Sequence, residues 1–186
     1  MKNKHYIIFD LDGTLVDSFP TVVSACKHVF ENHAPQAMPD DKFFVQYRFK
    51  DIEQMFEDLA ALADITTEGF RRIYDDCYAH DYINGSSIIK RQYDILKASK
   101  AKGIGIIVIT NKKQEIAEEV CLKMFGEKMI DIVIGRKDAQ PIKPKPIITE
   151  RIGEFGIDPK HCLGYYGDSI TDMQTARLLK VKFYKC

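Results

Sequence analysis

An α/β fold, built on an open and mostly parallel five-stranded sheet wound on both sides by helices, is predicted by three features of the sequence. Short, continuously apolar segments, led by residues 6–9 and 104–109, read as strands covered on both faces. Segments with apolar residues at helical spacing separate them, and repeated strand–helix units imply right-handed parallel crossovers. Acidic and polar residues then follow the strands directly, at the sheet edge where open parallel folds place their sites.

The first strand, Tyr6 to Phe9, empties into Asp10-Leu11-Asp12-Gly13-Thr14. Two carboxylates one residue apart repel each other unless a cation or proton lies between them. A hard, oxygen-seeking ion such as Mg²⁺ is the natural partner. Gly13 lets the chain turn with positive φ or a close backbone approach. From Ser18, a helix cap with Pro20 in the first turn, the period becomes helical through Val22, Val23, Cys26, Val29 and Phe30. Asp40 or Asp41 opens a short aromatic segment, and Ile52, Met55, Phe56 and Leu59 mark an amphipathic helix. Phe70, Ile73, Tyr74 and Cys77 mark another, starting near Thr66 or Thr67. Residues 18–84 therefore read as an all-helical insert, a domain separate from an α/β core of residues 1–17 and 85–186.

In the core, residues 88–102 are expected to be helical, with Ile88 and Ile89 facing inward and Gly103 as a left-handed stop. Strand 104–109, helix 113–125, strand 129–134, helix 146–155, strand 162–166, helix 171–179 and strand 181–184 follow. The fifth strand would stand at a sheet edge, and either a monomer or a homodimer is compatible with that arrangement.

Composition narrows the function. Lys+Arg and Asp+Glu both number 27, so no basic surface calls for nucleic acid or an anionic membrane as partner. No apolar run reaches the roughly 20 residues of a membrane span, and residues 1–5 run into the first strand without a secretory apolar stretch, so a cytoplasmic location is expected. The five cysteines are scattered, with no Cys-x-x-Cys pair, which indicates neither a disulfide framework nor a zinc site. His28 and His33 lie off the i, i+4 spacing of a helical metal pair.

Later strands end on chemistry of their own. Thr110-Asn111 follows the second and offers a hydroxyl, an amide and backbone N–H groups to an anion. Pro141-Ile142-Lys143-Pro144-Lys145-Pro146 is a stiff loop that can aim a lysine. The fourth strand ends in Gly167-Asp168-Ser169, with Asp172 four residues past Asp168 and able to face the same point. Taken singly, these are helix caps and a surface lysine. Their order and their placement at successive strand ends give them one meaning, a pocket for Mg²⁺ and a phosphate.

These four motifs resemble those of the haloacid dehalogenase superfamily, and the resemblance spans essentially the whole chain. It implies a Rossmann-like core, with the insert as a small helical cap like that of phosphoglycolate-phosphatase-like members. By this resemblance Asp10 is the nucleophile, Asp12 the general acid and base, and Thr110, with backbone N–H groups near Leu11, Asp12 and Asn111, the phosphoryl-binding group. Lys143 matches the family's Lys-Pro-x-Pro, 25 residues before Asp168, and Lys145 is the alternative register. Mg²⁺ would be held by Asp10, the Asp12 carbonyl and Asp168, with Asp172 completing the acidic metal motif and orienting Lys143 or a metal-bound water. Tyr47, Arg48 and Lys50, near Gln46 in the insert, are expected to meet a small phosphorylated metabolite. The implied activity is a phosphatase; a phosphosugar mutase, or a regulatory module without activity, shares the motifs.

Overall fold

The structure, a computed structural model, describes residues 4–48, 52–82, 85–137 and 141–186, with only the backbone of residues 79–81. It divides into two compact units, one of the residues up to Asp17 together with Ser87–Cys186, the other Ser18–Ser86.

The first unit is built on β1 (Tyr6–Phe9), β4 (Gly105–Lys113), β5 (Ile132–Arg136), β6 (Cys162–Gly167) and β7 (Phe183–Lys185), all parallel, in the order β5-β4-β1-β6-β7. The helices α5 (Lys90–Ala101), α6 (Gln114–Phe125), α7 (Ile147–Glu154) and α8 (Ile170–Leu178) make the crossovers. Ile8, Ile107, Ile109 and Ile134 pack with Ile148 and Ile152 of α7 and Ala176 of α8. Because strand side chains alternate, Ile7, Phe9, Ile106 and Val108 are buried on the opposite face. Burial on both sides explains the unbroken apolar runs in the sequence. With β1 in the centre, between β4 and β6, the order of the chain reverses there, and the carboxyl ends of these three strands flank the switch-point crevice.

Several sequence expectations need correction: β4 runs on through Thr110 and Asn111 to Lys113 instead of ending at Ile109, and β7 begins at Phe183 rather than Val181. Ser87–Ile88 is not the start of a helix but a short strand, β3, antiparallel to β2 (Val16–Asp17), with Val16 opposite Ile88; α5 begins only at Lys90. This ribbon joins the two ends of the insert, and two residues are too few to display a period of two. The third core strand starts at Ile132 rather than Met129, because the chain before it is spent on turns and on Asp131, whose carboxylate accepts the Ile106 N–H at 2.7 Å.

The second unit holds α1 (Phe19–His33), α2 (Asp41–Val45), α3 (Ile52–Leu62) and α4 (Thr67–Asp81). Asp40 and Thr66 cap α2 and α4 by accepting the Phe43 and Gly69 N–H groups. Ser18 occupies the cap position of α1, but its side chain makes no capping bond there. Phe70 lies between Phe30 and Phe56, with ring centroids 6.1 and 5.8 Å away, and forms the apolar centre of the unit.

Candidate active site

Asp10 extends the pairing of β1 by one residue, its N–H donating to the Tyr166 carbonyl at 2.9 Å. This fixes its backbone beside the end of β6. The next turn winds around the Leu11 carbonyl, which accepts from Leu15 and Val16, both at 2.9 Å. Gly13 sits in that turn at φ 77°, and a Cβ there would lie 2.4 Å from Asp168 Oδ2. Only glycine allows both the left-handed backbone and the carboxylate's approach. Gly167 similarly makes room for Asp172, whose Cβ would be 2.5 Å from a Cβ added there.

At the centre is Lys143, 5% exposed, whose ammonium donates to Asp10 Oδ1 at 2.6 Å and to Asp172 Oδ1 at 2.7 Å. The Tyr165 hydroxyl donates to that same Asp172 oxygen at 3.0 Å, while Asp172 Oδ2 accepts from the Ser169 hydroxyl at 2.6 Å and the Ser169 N–H at 3.1 Å. Ser169 in return accepts the Asp172 N–H, which closes a capping box at the start of α8. Both oxygens of the fully buried Asp172 are thus engaged by protein donors. Asp168 Oδ1 lies 3.4 Å from the Thr14 hydroxyl.

Three carboxylates face one ammonium, and the electrostatics follow. Burial, then repulsion from Asp172, pushes the Asp10 carboxyl well up despite Lys143. Burial and Asp172 raise that of Asp168 as well. Burial opposes charge on Lys143, but Asp10, Tyr165 and Asp172 outweigh it and hold the ammonium firmly protonated. Burial is likewise the largest influence on Asp172, but Lys143 and the Ser169 hydrogen bonds together outweigh it and hold that carboxyl below its usual range.

Asp10, Asp168 and Asp172 can each bring one oxygen within 4.8 Å of the others. This set fits a hard divalent cation, since carboxylate oxygens are its preferred ligands and its charge would relieve the repulsion that raises Asp10 and Asp168. The engagement of both Asp172 oxygens makes Asp10 and Asp168 the residues better suited to ligate.

Thr110 is buried in β4, and its Oγ1 accepts the Lys112 N–H at 3.1 Å. Asn111 differs from expectation: its side chain is not left open for an anion but accepts the Ile142 and Lys143 N–H groups at 3.0 and 2.8 Å, holding the lysine loop. Lys145 is exposed on that loop, so Lys143 is the lysine facing Asp10. Asp12 is partly buried, with its carboxylate paired to the Lys112 ammonium at 3.1 Å. Of the substrate contacts expected in the insert, two lie among the described residues. Tyr47 is buried and donates its hydroxyl to Asp58; Arg48 is exposed, its guanidinium 5.4 Å from the Phe19 ring centroid; Lys50 lies outside the described residues.

Sequence reasoning missed Tyr165, Ser169 as a partner of Asp172, and the Lys112 pairing. Tyr165 resembles any buried strand aromatic, and only the facing ammonium and carboxylate reveal its use.

The sequence profile described as Haloacid dehalogenase-like hydrolase matches residues 7–185, and the chain belongs to that family. It is 30% identical to a phosphoglycolate phosphatase of Pasteurella multocida, over 90% of this chain and 79% of that protein. A protein of Caldanaerobacter subterraneus, provisionally named a pyrophosphatase, is 25% identical over 95% of this chain and 78% of its own length. The fold matches that of a haloacid dehalogenase-like family hydrolase from Streptococcus pneumoniae with a TM-score of 0.77 at 20% identity, covering 100% of this chain and 85% of the other. Among the described residues, no helix is long and apolar enough to cross a membrane.

Proposed function

We propose that the chain is a Mg²⁺-dependent phosphatase that hydrolyses a small phosphomonoester through an aspartyl-phosphate. The observation that carries this reading is the Asp10–Lys143–Asp172 bridge with Asp168 beside it, at the carboxyl ends of β1 and β6. The names of the phosphoglycolate phosphatase relatives support a small phosphorylated substrate.

An oxygen of Asp10 attacks phosphorus in line; the new P–O bond forms as the bond to the leaving oxygen breaks. Asp12 gives its proton to that oxygen and releases the alcohol. It then takes a proton from water, whose oxygen attacks phosphorus, breaks the bond to Asp10 and liberates phosphate. Lys143 balances negative charge on Asp10 and the transferred group, and Asp172 with Tyr165 positions that ammonium. Thr110 and the N–H groups of the turn after β1 bind the phosphoryl oxygens. Bound Mg²⁺, held by Asp10, Asp168 and the Asp12 carbonyl, would offset the repulsion between an anionic nucleophile and an anionic substrate. The helical insert, placed in sequence between the first site loop and the rest of the core, takes the part of a cap that excludes water.

The test is phosphate release from a panel of small phosphomonoesters with and without Mg²⁺. Metal-dependent release that Asp10→Asn abolishes supports the reading, whereas wild-type turnover by Asp10→Asn ends it. Conversion of a sugar phosphate without free phosphate would mark a mutase instead. Asp12→Asn is expected to lose most activity on a substrate with a poor leaving group.

A further inference from the structure

We infer that Arg136 is a positioning residue for the phosphatase reaction: by holding the Asn111 carbonyl it fixes, through the Asn111 side chain, where the Lys143 ammonium stands. The inference rests on the phosphatase reading and on the part Lys143 takes in it.

The need for such a residue begins in the sheet. From Ile109 to Lys113, β4 advances four residues while β5 advances only two, from Ile134 to Arg136. A bulge of this kind takes backbone groups out of the ladder, and in a buried place each must find another partner. Side chains supply those partners. Gln114 takes the place of β4 against β5, donating to the Val133 carbonyl at 3.0 Å and accepting the Gly135 N–H at 2.7 Å. Thr110 Oγ1 accepts the Lys112 N–H at 3.1 Å. Arg136 Nε donates to the Asn111 carbonyl at 3.0 Å, which ties the middle of the bulge to β5.

Asn111 passes this constraint to the lysine loop. Its Oδ1 accepts the Ile142 and Lys143 N–H groups at 3.0 and 2.8 Å, and its Nδ2 donates to the Lys143 carbonyl at 3.4 Å. One side chain thus grips Lys143 by both its N–H and its C=O, and Arg136 grips the backbone of that side chain. At its other end Lys143 reaches Asp10 and Asp172 at 2.6 and 2.7 Å. Arg136 is itself only 5% exposed, a burial that a guanidinium tolerates only when its donors are used. Because arginine stays protonated at every working pH, this donor is never lost by titration. Placement matters here, since a catalytic group displaced by about 1 Å can cost about 10²-fold in rate.

The experiment measures phosphate release from phosphoglycolate and from p-nitrophenyl phosphate, with Mg²⁺, in two variants. Arg136→Met keeps the length of the side chain and removes the donor, whereas Arg136→Gln puts an amide nitrogen where Nε stood and removes the charge. Arg136→Met should lower kcat about tenfold with little change in KM, the loss of one charge-assisted hydrogen bond, and Arg136→Gln should stay within about threefold of the unaltered protein. In a Lys143→Met background, Arg136→Met should cost nothing further, because a residue that acts only through Lys143 then has nothing left to place. A tenfold loss repeated in that background would make Arg136 a general support of the fold and overturn the inference. Equal losses in Arg136→Met and Arg136→Gln would overturn it too, since the Nε donor would then not be what counts. Were Arg136→Met not to fold, Arg136→Gln decides alone: turnover within about threefold supports the inference, and a larger loss overturns it. Release from neither compound by the unaltered protein removes the phosphatase reading and the inference together, while release that Arg136→Met leaves undiminished removes the inference alone.

Discussion

The Tyr165 hydroxyl and the Lys143 ammonium converge on one oxygen of Asp172, at 3.0 and 2.7 Å. Asp172 thus acts as a fixed anchor, and Tyr165 affects the chemistry only through the lysine it helps to hold. Removing that hydroxyl in Tyr165→Phe forfeits a hydrogen bond worth about 1 kcal/mol, so kcat should fall about fivefold with little change in KM. Asp172→Ala removes the anchor itself. It should cost far more activity and about 3–5 kcal/mol of stability, because a buried ammonium loses one of its two counter-charges. Steady-state kinetics and urea unfolding of both variants check the order; equal effects would mean that Tyr165 is not a satellite of Asp172.

Lys143 and Lys145 occupy adjacent Lys-Pro pairs but opposite environments, one bound between two buried carboxylates and the other exposed. Lys143→Met should lower kcat about 10²–10³-fold, as the loss of a preorganised charge does. Lys145→Met should stay within about twofold of the unaltered protein, as surface substitutions usually do. Comparable losses in the two would reverse the assignment.

This pair also marks how far the sequence could be read. The strand ends, the carboxylates at positions 10, 12, 168 and 172, and the helical insert each leave a local signal: an apolar run that stops, a doubled acid, a period near 3.6. The choice between two lysines does not, because both follow the same pattern and only the fold decides which is buried. Asn111 was legible as a polar strand end but not as a brace for the loop that starts some thirty residues later, a contact made by tertiary packing alone. The Val16–Ile88 pair eluded the period rules for the same reason, since a ribbon of two residues exists only because the ends of the insert meet.

The charge cluster predicts a stability effect of metal. Asp168 has its carboxyl raised by burial and by Asp172. For a raised carboxyl, the stabilising contribution is complete below the unfolded value near 3.9 and is lost as pH rises through the higher folded value. At neutral pH without Mg²⁺, the ionised Asp168 therefore works against the fold. Mg²⁺ at about 100 times its Kd should add about 2.7 kcal/mol, which raises Tm by about 5–10 °C for a chain of this size. Asp168→Asn should melt no lower than the unaltered protein without metal, yet gain almost nothing when Mg²⁺ is added. Thermal scans with and without Mg²⁺ decide; a full Mg²⁺ shift retained in Asp168→Asn would remove Asp168 from the metal site.

Asp131 offers the opposite sign, away from the site. Burial pushes its carboxyl up, but the Lys100 ammonium at 2.7 Å, the Ile106 N–H at 2.7 Å and the Lys4 ammonium at 3.0 Å together hold it below the usual carboxylate range. Its stabilising contribution is accordingly present above the unfolded value near 3.9 and disappears as pH falls through the lower folded one. The lysines are partly solvated and screened, so the backbone bond that ties the loop before β5 to β4 carries most of the effect. Asp131→Asn should lose about 1 kcal/mol at about pH 7, and the difference should shrink by about pH 3, below the unfolded value, where the carboxylate's advantage is being lost. Urea midpoints at the two pH values test this, and a difference that persists undiminished in acid would show that shape rather than charge holds the loop.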